Sequence, residues 1–253
     1  MKTLSGGAAV IERGELDRIE GTRRYRAPVS RSMGARDIAQ YVSSYGEGVS
    51  LARRNPTGEE VLYVVNGSGT CLIDGYSYEL RPGTAVYVPP GSVCQIENLD
   101  DRGRGVSNID LVSVCCPEDE GVEIGLDSLI RAPRDTKPFR TVREAERPAI
   151  QTGDRTFKLL VNQDLGAKHV TQFVGTIPPG RAPMHHHTYE EAIYILEGQG
   201  RVWTNEGDAG FEAGSSIYLP RGVSHCVENT GSTNIRLLGV FHPSGSPDVA
   251  YDD

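Results

Sequence analysis

The sequence lacks any apolar run near the ~20 residues a membrane-spanning helix needs. Its first residues, MKTLSGGAAVIERGELDRIEG, lack the apolar core of a secretory signal, so no signal peptide is expected. Positive charge is also scarce: 26 Lys and Arg stand against 34 Asp and Glu, a net charge of −8. This balance argues against a nucleic-acid or anionic-membrane partner, since both need a basic face. Cysteine is sparse and unpaired in pattern. The five are an odd number, Cys115 and Cys116 are adjacent, and no spacing matches a zinc ribbon or a CxxC redox pair. Reduced thiols and a cytoplasmic location are expected. Histidine is absent from the whole first half, since all six lie between His169 and His242.

What is present is glycine (30), proline (15) and short clusters of Val, Ile and Tyr. Such punctuation suits many short strands joined by tight turns. A length of 253 residues allows one large or two ordinary domains. The chain is written twice. GARDIAQYVSSYGEG, Gly34 to Gly48, aligns without gaps on GAKHVTQFVGTIPPG, Gly166 to Gly180, at an offset of 132. EEVLYVVNGSG, from Glu59, aligns on EEAIYILEGQG, from Glu190, at an offset of 131. PGTAVYVPPGSVCQIEN aligns on AGSSIYLPRGVSHCVEN at the same 131, ending at Asn98 and Asn229. A repeat of strand-like segments predicts two β-barrels or sandwiches in tandem. A shift in composition between residues 118 and 150 marks the boundary, where a helix or an irregular connector is expected. We assign 1–130 to the first unit, with an N-terminal extension, and 131–253 to the second.

The second copy carries Gly180, His185, His187, Glu191 and Gly198, followed by Gly214, Pro220, Gly222, His225 and Asn229. On a strand, residues i and i+2 share a face, so His185 and His187 point together while His186 points away. Glu191 opens the next strand, and His225 follows a Pro-x-Gly turn that can aim it at the same point. Three imidazoles and one carboxylate make a mixed N/O site for a first-row divalent metal with open positions for other ligands. Fe2+ or Mn2+ is expected, with Zn2+ or Ni2+ as alternatives. Asn229 is read as a turn residue that bonds the backbone.

The first copy keeps only the carboxylate. Its counterparts to His185, His187 and His225 are Arg54, Pro56 and Cys94 at an offset of 131, or Arg53, Asn55 and Cys94 with the first motif at 132. Proline cannot coordinate and arginine stays protonated, so no metal is expected there. That unit is either a packing partner or a small-ligand pocket built from Arg53 or Arg54, Glu60 and Cys94. In the second unit Tyr218 is taken as a catalytic residue lining the interior. A plain core role is its alternative, because Tyr87 occupies the same place in the copy without metal ligands. Glu190 and Glu212 are the other acid–base candidates.

The two motifs around His185 and His225 resemble those of the cupin superfamily, apart from a one-residue shortening after Gly180, and the likeness runs from about Gly34 to Phe241. The resemblance implies an all-β fold of two tandem double-stranded β-helix (jelly-roll) barrels, a bicupin. In architecture the chain is similar to (S)-ureidoglycine aminohydrolase-type bicupins, through EEVLYVVNGSG and PPGS, although its second-barrel ligand set differs from theirs. Three functions follow from the resemblance. The first is a non-haem iron dioxygenase-like oxidoreductase, because three histidines and a glutamate are common among oxygen-using cupins. The second is a redox-neutral Mn or Zn hydrolase, lyase or isomerase, and the third a small-ligand-binding module. Each implies a small-molecule partner. A homodimer or higher homo-oligomer is also expected, with the N-terminal thirty residues adding a strand to a neighbour's sheet edge.

Overall fold

The structure is a computed structural model and describes residues 1–99, 107–117, 122–126 and 136–247. Strands dominate. The helical turns among the described residues are three-residue 3-10 turns at Ser5–Gly7, Arg31–Met33, Glu144–Glu146 and Gln163–Leu165. No helix among those residues is long and apolar enough to cross a membrane. The expected connector is a strand, Thr141–Arg143, and a 3-10 turn in its described portion; residues 127–135 lie outside the described residues.

Each unit is a jelly roll of one large and one small antiparallel sheet. In the first barrel the large sheet centres on Glu59–Asn66 between Thr84–Val88 and Ile109–Cys116. In the second it centres on Glu190–Glu197 between Ser216–Leu219 and Ile235–His242. The small sheets are built on Gly69–Ile73 with Val93–Asn98, and on Gln199–Thr204 with His225–Asn229. Paired glycines let these layers close. A Cβ at Gly69 would lie 2.4 Å from the Glu97 carbonyl oxygen, and one at Gly200 would lie 2.1 Å from that of Glu228.

The large sheets are buried on both faces, and that explains their near-continuous apolar runs. Leu62 and Val64 face the first barrel's interior, while Val61 and Tyr63 face the other barrel. Ile193 and Ile195 face the second interior, and Ala192 faces back. The outward faces of the two large sheets meet in one core that includes Val112, Val114, Val174, Leu238 and Val240. Burying each such side chain is worth about 1.5–3 kcal/mol, so the barrels form one body.

The repeat also builds a symmetric clasp across this core. Glu59 of the first barrel accepts hydrogen bonds from the backbone N–H groups of Lys168 (2.8 Å) and His169 (3.0 Å) in the second. Glu190 of the second accepts from the N–H groups of Arg36 and Asp37, both at 2.8 Å, in the first. Tyr87 and Tyr218 donate to Glu59 and Glu190, and also to the carbonyls of Gly166 (3.1 Å) and Gly34 (3.2 Å). Edge strands cross over as well. Ala9–Ile11 pairs with Ser216–Tyr218 in the second barrel, and Thr141–Arg143 pairs with Thr84–Val86 in the first. Ala9–Ile11, from the N-terminal thirty residues, thus joins the chain's own second barrel, while Arg18–Glu20 lies at a sheet edge.

Candidate metal centre

His185 and His225 stand directly opposite each other on adjacent strands. The N–H of His185 donates to the carbonyl of His225 at 2.9 Å, and the reverse bond is 2.8 Å. Strand alternation then sets His187 on the same side and leaves His186 exposed. The turn at Pro220 to Gly222 is tied down by the Gly222 N–H, which donates to the carbonyl of His187 at 2.8 Å. As a result one ring nitrogen from each of His185, His187 and His225 lies within 4.8 Å of the others.

The rings are oriented by what surrounds them. Nδ1 of His225 lies 2.8 Å from the Val223 carbonyl, and Nδ1 of His185 lies 3.2 Å from that of Pro183. A carbonyl can only accept, so Nδ1 carries the proton and Nε2 presents a lone pair to the centre. His187 is stacked on Tyr189 (4.4 Å between centroids), which is itself stacked on Phe241 (4.1 Å). Glu191 places Oε2 3.7 Å from Nε2 of His187. Gly239 makes room for it, because a Cβ there would sit 2.9 Å from Oε1 of Glu191.

Burial favours the uncharged forms of Glu191, His187 and His225. It pushes the Glu191 carboxyl up to about 8. Burial, with His225 and His185 nearby, pushes His187 down to about 3. For His225 burial prevails over the raising effect of the Val223 carbonyl, and its pKa falls to about 4. The His187–Glu191 contact is therefore no ion pair. Three converging imidazoles and a buried carboxyl group beside them fit a divalent cation, whose charge would favour the ionised carboxylate.

The centre opens into a cavity of about 100 Å3 walled mainly by apolar side chains. Among the described residues, its titratable lining beyond the three histidines and Glu191 is Arg155 and Tyr189. Neither was singled out from the sequence, as neither belongs to a metal-ligand pattern. The expected catalytic role of Tyr218 is corrected here. Ile217 and Leu219 point into the second barrel, so Tyr218 points out of it, into the core between the barrels. Its hydroxyl is committed to Glu190 and Gly34, and it does not line the cavity. Glu190 is equally committed to the clasp, and Glu212 is exposed.

In the first barrel Arg53 stands opposite Cys94 as His185 stands opposite His225. The Gly91 N–H donates to the carbonyl of Asn55 at 2.7 Å, as that of Gly222 does to His187. The counterparts are therefore Arg53, Asn55 and Cys94, the offset of 132 for the first motif. Arg53 is paired with Glu60, with 11% and 7% of their side chains exposed. Sγ of Cys71 and of Cys94 pack 3.5 Å apart beside them. About 10 Å3 of cavity remains, no more than one water requires. A fixed guanidinium fills the place that a cation would take.

Comparison with known proteins places this geometry in context. The sequence pattern of the cupin domain matches residues 44–104 and 173–241. An oxalate-binding protein of Thermotoga maritima is 39% identical over 67 residues, 26% of this chain and 55% of that protein. A dimethylsulfoniopropionate lyase of Ruegeria pomeroyi is 32% identical over 87 residues, 34% of this chain and 52% of that protein. The chain spans about half the length of the curated relatives it matches. Among solved structures, oxalate decarboxylase from Bacillus subtilis matches with a TM-score of 0.73 and 16% identity, covering 100% of this chain and 78% of that one. A putative glyoxylate-induced protein from Pseudomonas aeruginosa matches with a TM-score of 0.73 and 15% identity, covering 100% and 95%. At such identities these structures speak for the two-barrel fold alone.

Proposed function

We propose, for a chain that belongs to the cupin family and carries two of its domains, a metal-dependent enzyme acting on a small organic molecule, of the non-haem iron dioxygenase-like type. The proposed holder of the ion is His185, His187, His225 and Glu191 in the second barrel. The observation that carries this reading is the make-up of the cavity. Besides those four groups, its titratable side chains among the described residues are one arginine and one tyrosine. Arginine stays protonated and cannot act as a base. Burial, chiefly, and then Glu191 push the Tyr189 phenol up, so it holds its proton across the neutral range. A side-chain general base is thus lacking, whereas a redox-active ion with open positions would supply electron transfer and substrate activation itself. The protein's share is to orient the imidazoles through Pro183, Val223 and Tyr189, and to exclude water with Phe157, Phe173 and Leu237.

A second reading is favoured by the stretch that is 32% identical to a dimethylsulfoniopropionate lyase. In it His185, His187, His225 and Glu191 would hold a Mn2+, Zn2+ or Ni2+ ion that would polarise the substrate, with no oxygen used. Oxygen uptake by iron-loaded protein, followed with an electrode against a panel of small oxygenated acids, decides between the two. Turnover with one O2 consumed per product supports the dioxygenase; product formed equally well under argon supports the redox-neutral enzyme. The proposed homodimer or larger assembly is checked by light scattering at micromolar concentration, where a monomer would reject it.

A further inference from the structure

Both barrels carry an arginine at the start of the same strand, Arg23 and Arg155, related by the repeat offset of 132. Their surroundings differ in residue type at each of the four matching positions. In the first barrel Nε of Arg23 donates to the hydroxyl of Ser43 at 3.0 Å. Its guanidinium lies 4.2, 5.4 and 6.0 Å from the ring centroids of Tyr25, Tyr41 and Tyr45. At the matching places the second barrel has Gly175, Phe157, Phe173 and Ile177. The hydroxyl partner is gone, two of the three rings remain as phenyls, and all four residues line the cavity.

Arg155 is consequently left half-used. One terminal N–H donates to the carbonyl of Val227 at 3.0 Å, which fixes the side chain against the small sheet. Nε is buried and has no hydrogen-bond partner among the described residues. The nearest opposite charge is Oδ1 of Asp154 at 3.5 Å, on a side chain 67% exposed and misaligned for a hydrogen bond. The Arg155 side chain is only 14% exposed and lines the same cavity as His185, His187 and His225. A buried guanidinium with an unused N–H, on a residue that lines a mainly apolar cavity, is matched by a carboxylate, whose two oxygens fit its fork.

We propose that Arg155 anchors the carboxylate of a small organic acid in the second barrel, so that the substrate is a carboxylic acid held by Arg155 at one end. That its other end, a 2-oxo or 2-hydroxy oxygen, faces the metal rests on the reading of the metal centre given above. The cavity limits its size. About 100 Å3 is less than the ~150 Å3 that admits benzene, so about four to six non-hydrogen atoms fit. The first barrel cannot take such an acid, because its arginine is caged and its remaining space is about 10 Å3.

The test titrates pyruvate, and pyruvamide as its neutral counterpart, into Mn2+-loaded and chelator-treated protein by calorimetry, with metal content measured on every sample. Wild type is expected to bind pyruvate at least about tenfold more tightly than pyruvamide, the scale of a charge-assisted hydrogen bond. Arg155→Gln should erase that preference and weaken pyruvate about 10- to 100-fold, with Mn2+ content unchanged. Arg155→Lys, which keeps the charge without the fork, should fall between, and it serves as the variant if Arg155→Gln does not fold. Arg155→Gln with full Mn2+ and the wild-type preference overturns the proposal, as does a wild type that binds none of pyruvate, lactate and glycolate. If wild type holds no metal, the metal-centre reading fails by itself. The acid titration of the same protein, with and without Arg155, then still decides the role of the arginine.

Discussion

The interiors of the two barrels solve one problem in opposite ways. Each places a glutamate, Glu60 or Glu191, at the start of a central strand and buries it. In the first barrel the carboxylate is answered by Arg53, a cation built into the chain, and the space around it is filled by Cys94 and Cys71. In the second the positions of Arg53, Asn55 and Cys94 are histidines, of which burial keeps His187 and His225 neutral, and the cavity stays open. An internal salt bridge makes a closed, structural barrel. A buried carboxyl among converging imidazoles, with no cation built into the chain beside it, makes one suited to take a charge from outside. Arg23 and Arg155 repeat the lesson: the same residue is bonded to Ser43 among three tyrosines in one copy and lines the open cavity in the other.

That contrast can be broken from either side. The largest effect is expected for His225→Ala, which removes one of three converging nitrogens. Metal affinity should fall by more than about 100-fold, beyond the ~10–100-fold that losing an outer-shell partner costs, as read by competition with a chromogenic chelator. Next is Arg53→Ala, which leaves Glu60 buried without its cation and should destabilise the chain by about 3–5 kcal/mol in denaturant unfolding. Metal content should not change, since Arg53 belongs to the other barrel.

The clasp between the barrels comes third. Glu190→Ala strands the N–H groups of Arg36 and Asp37 and should cost about 2–4 kcal/mol. Glu59→Ala should cost a similar amount through Lys168 and His169, because the clasp is symmetric. A marked inequality between the two would break that symmetry. Fourth is the pH dependence of chelator-treated protein. Glu191 is raised in the folded state to about 8, from an ordinary value of 4.5. The stability it contributes is therefore present at low pH and is lost as pH climbs towards 8. His187 is depressed to about 3, so its contribution is constant above about 6.5. Between pH 6.5 and 8 the melting temperature should drop by on the order of a few degrees more in wild type than in Glu191→Gln. The smallest effect is expected for Tyr218→Phe, about 1 kcal/mol of stability with metal content and turnover retained. Loss of turnover with stability intact would return Tyr218 to the chemistry.

The duplication and the convergence of His185, His187 and His225 are visible in the sequence because strand geometry is periodic. Alternation fixes which of three consecutive histidines turn inward, and the spacing from Gly222 to His225 survives folding unchanged. The same rule misleads at Tyr218. All of Ser216–Leu219 is buried, since one face packs in the barrel and the other against its partner, so the phase of the strand leaves no polar trace. Strands of two or three residues, such as Lys2–Thr3, Ala9–Ile11 and Thr141–Arg143, are too short to carry a period, and their exchange between barrels depends on tertiary contacts. Arg155 was hidden for another reason. It sits thirty residues before His185, and its meaning lies in what its neighbours have lost.

The most direct test of the account is elemental analysis of untagged protein prepared without chelator, wild type beside His187→Ala and Arg53→Ala. The account predicts about one divalent metal per chain in wild type and in Arg53→Ala, and almost none in His187→Ala. Metal retained by His187→Ala, or none in wild type after anaerobic reconstitution with iron and with manganese, would contradict it.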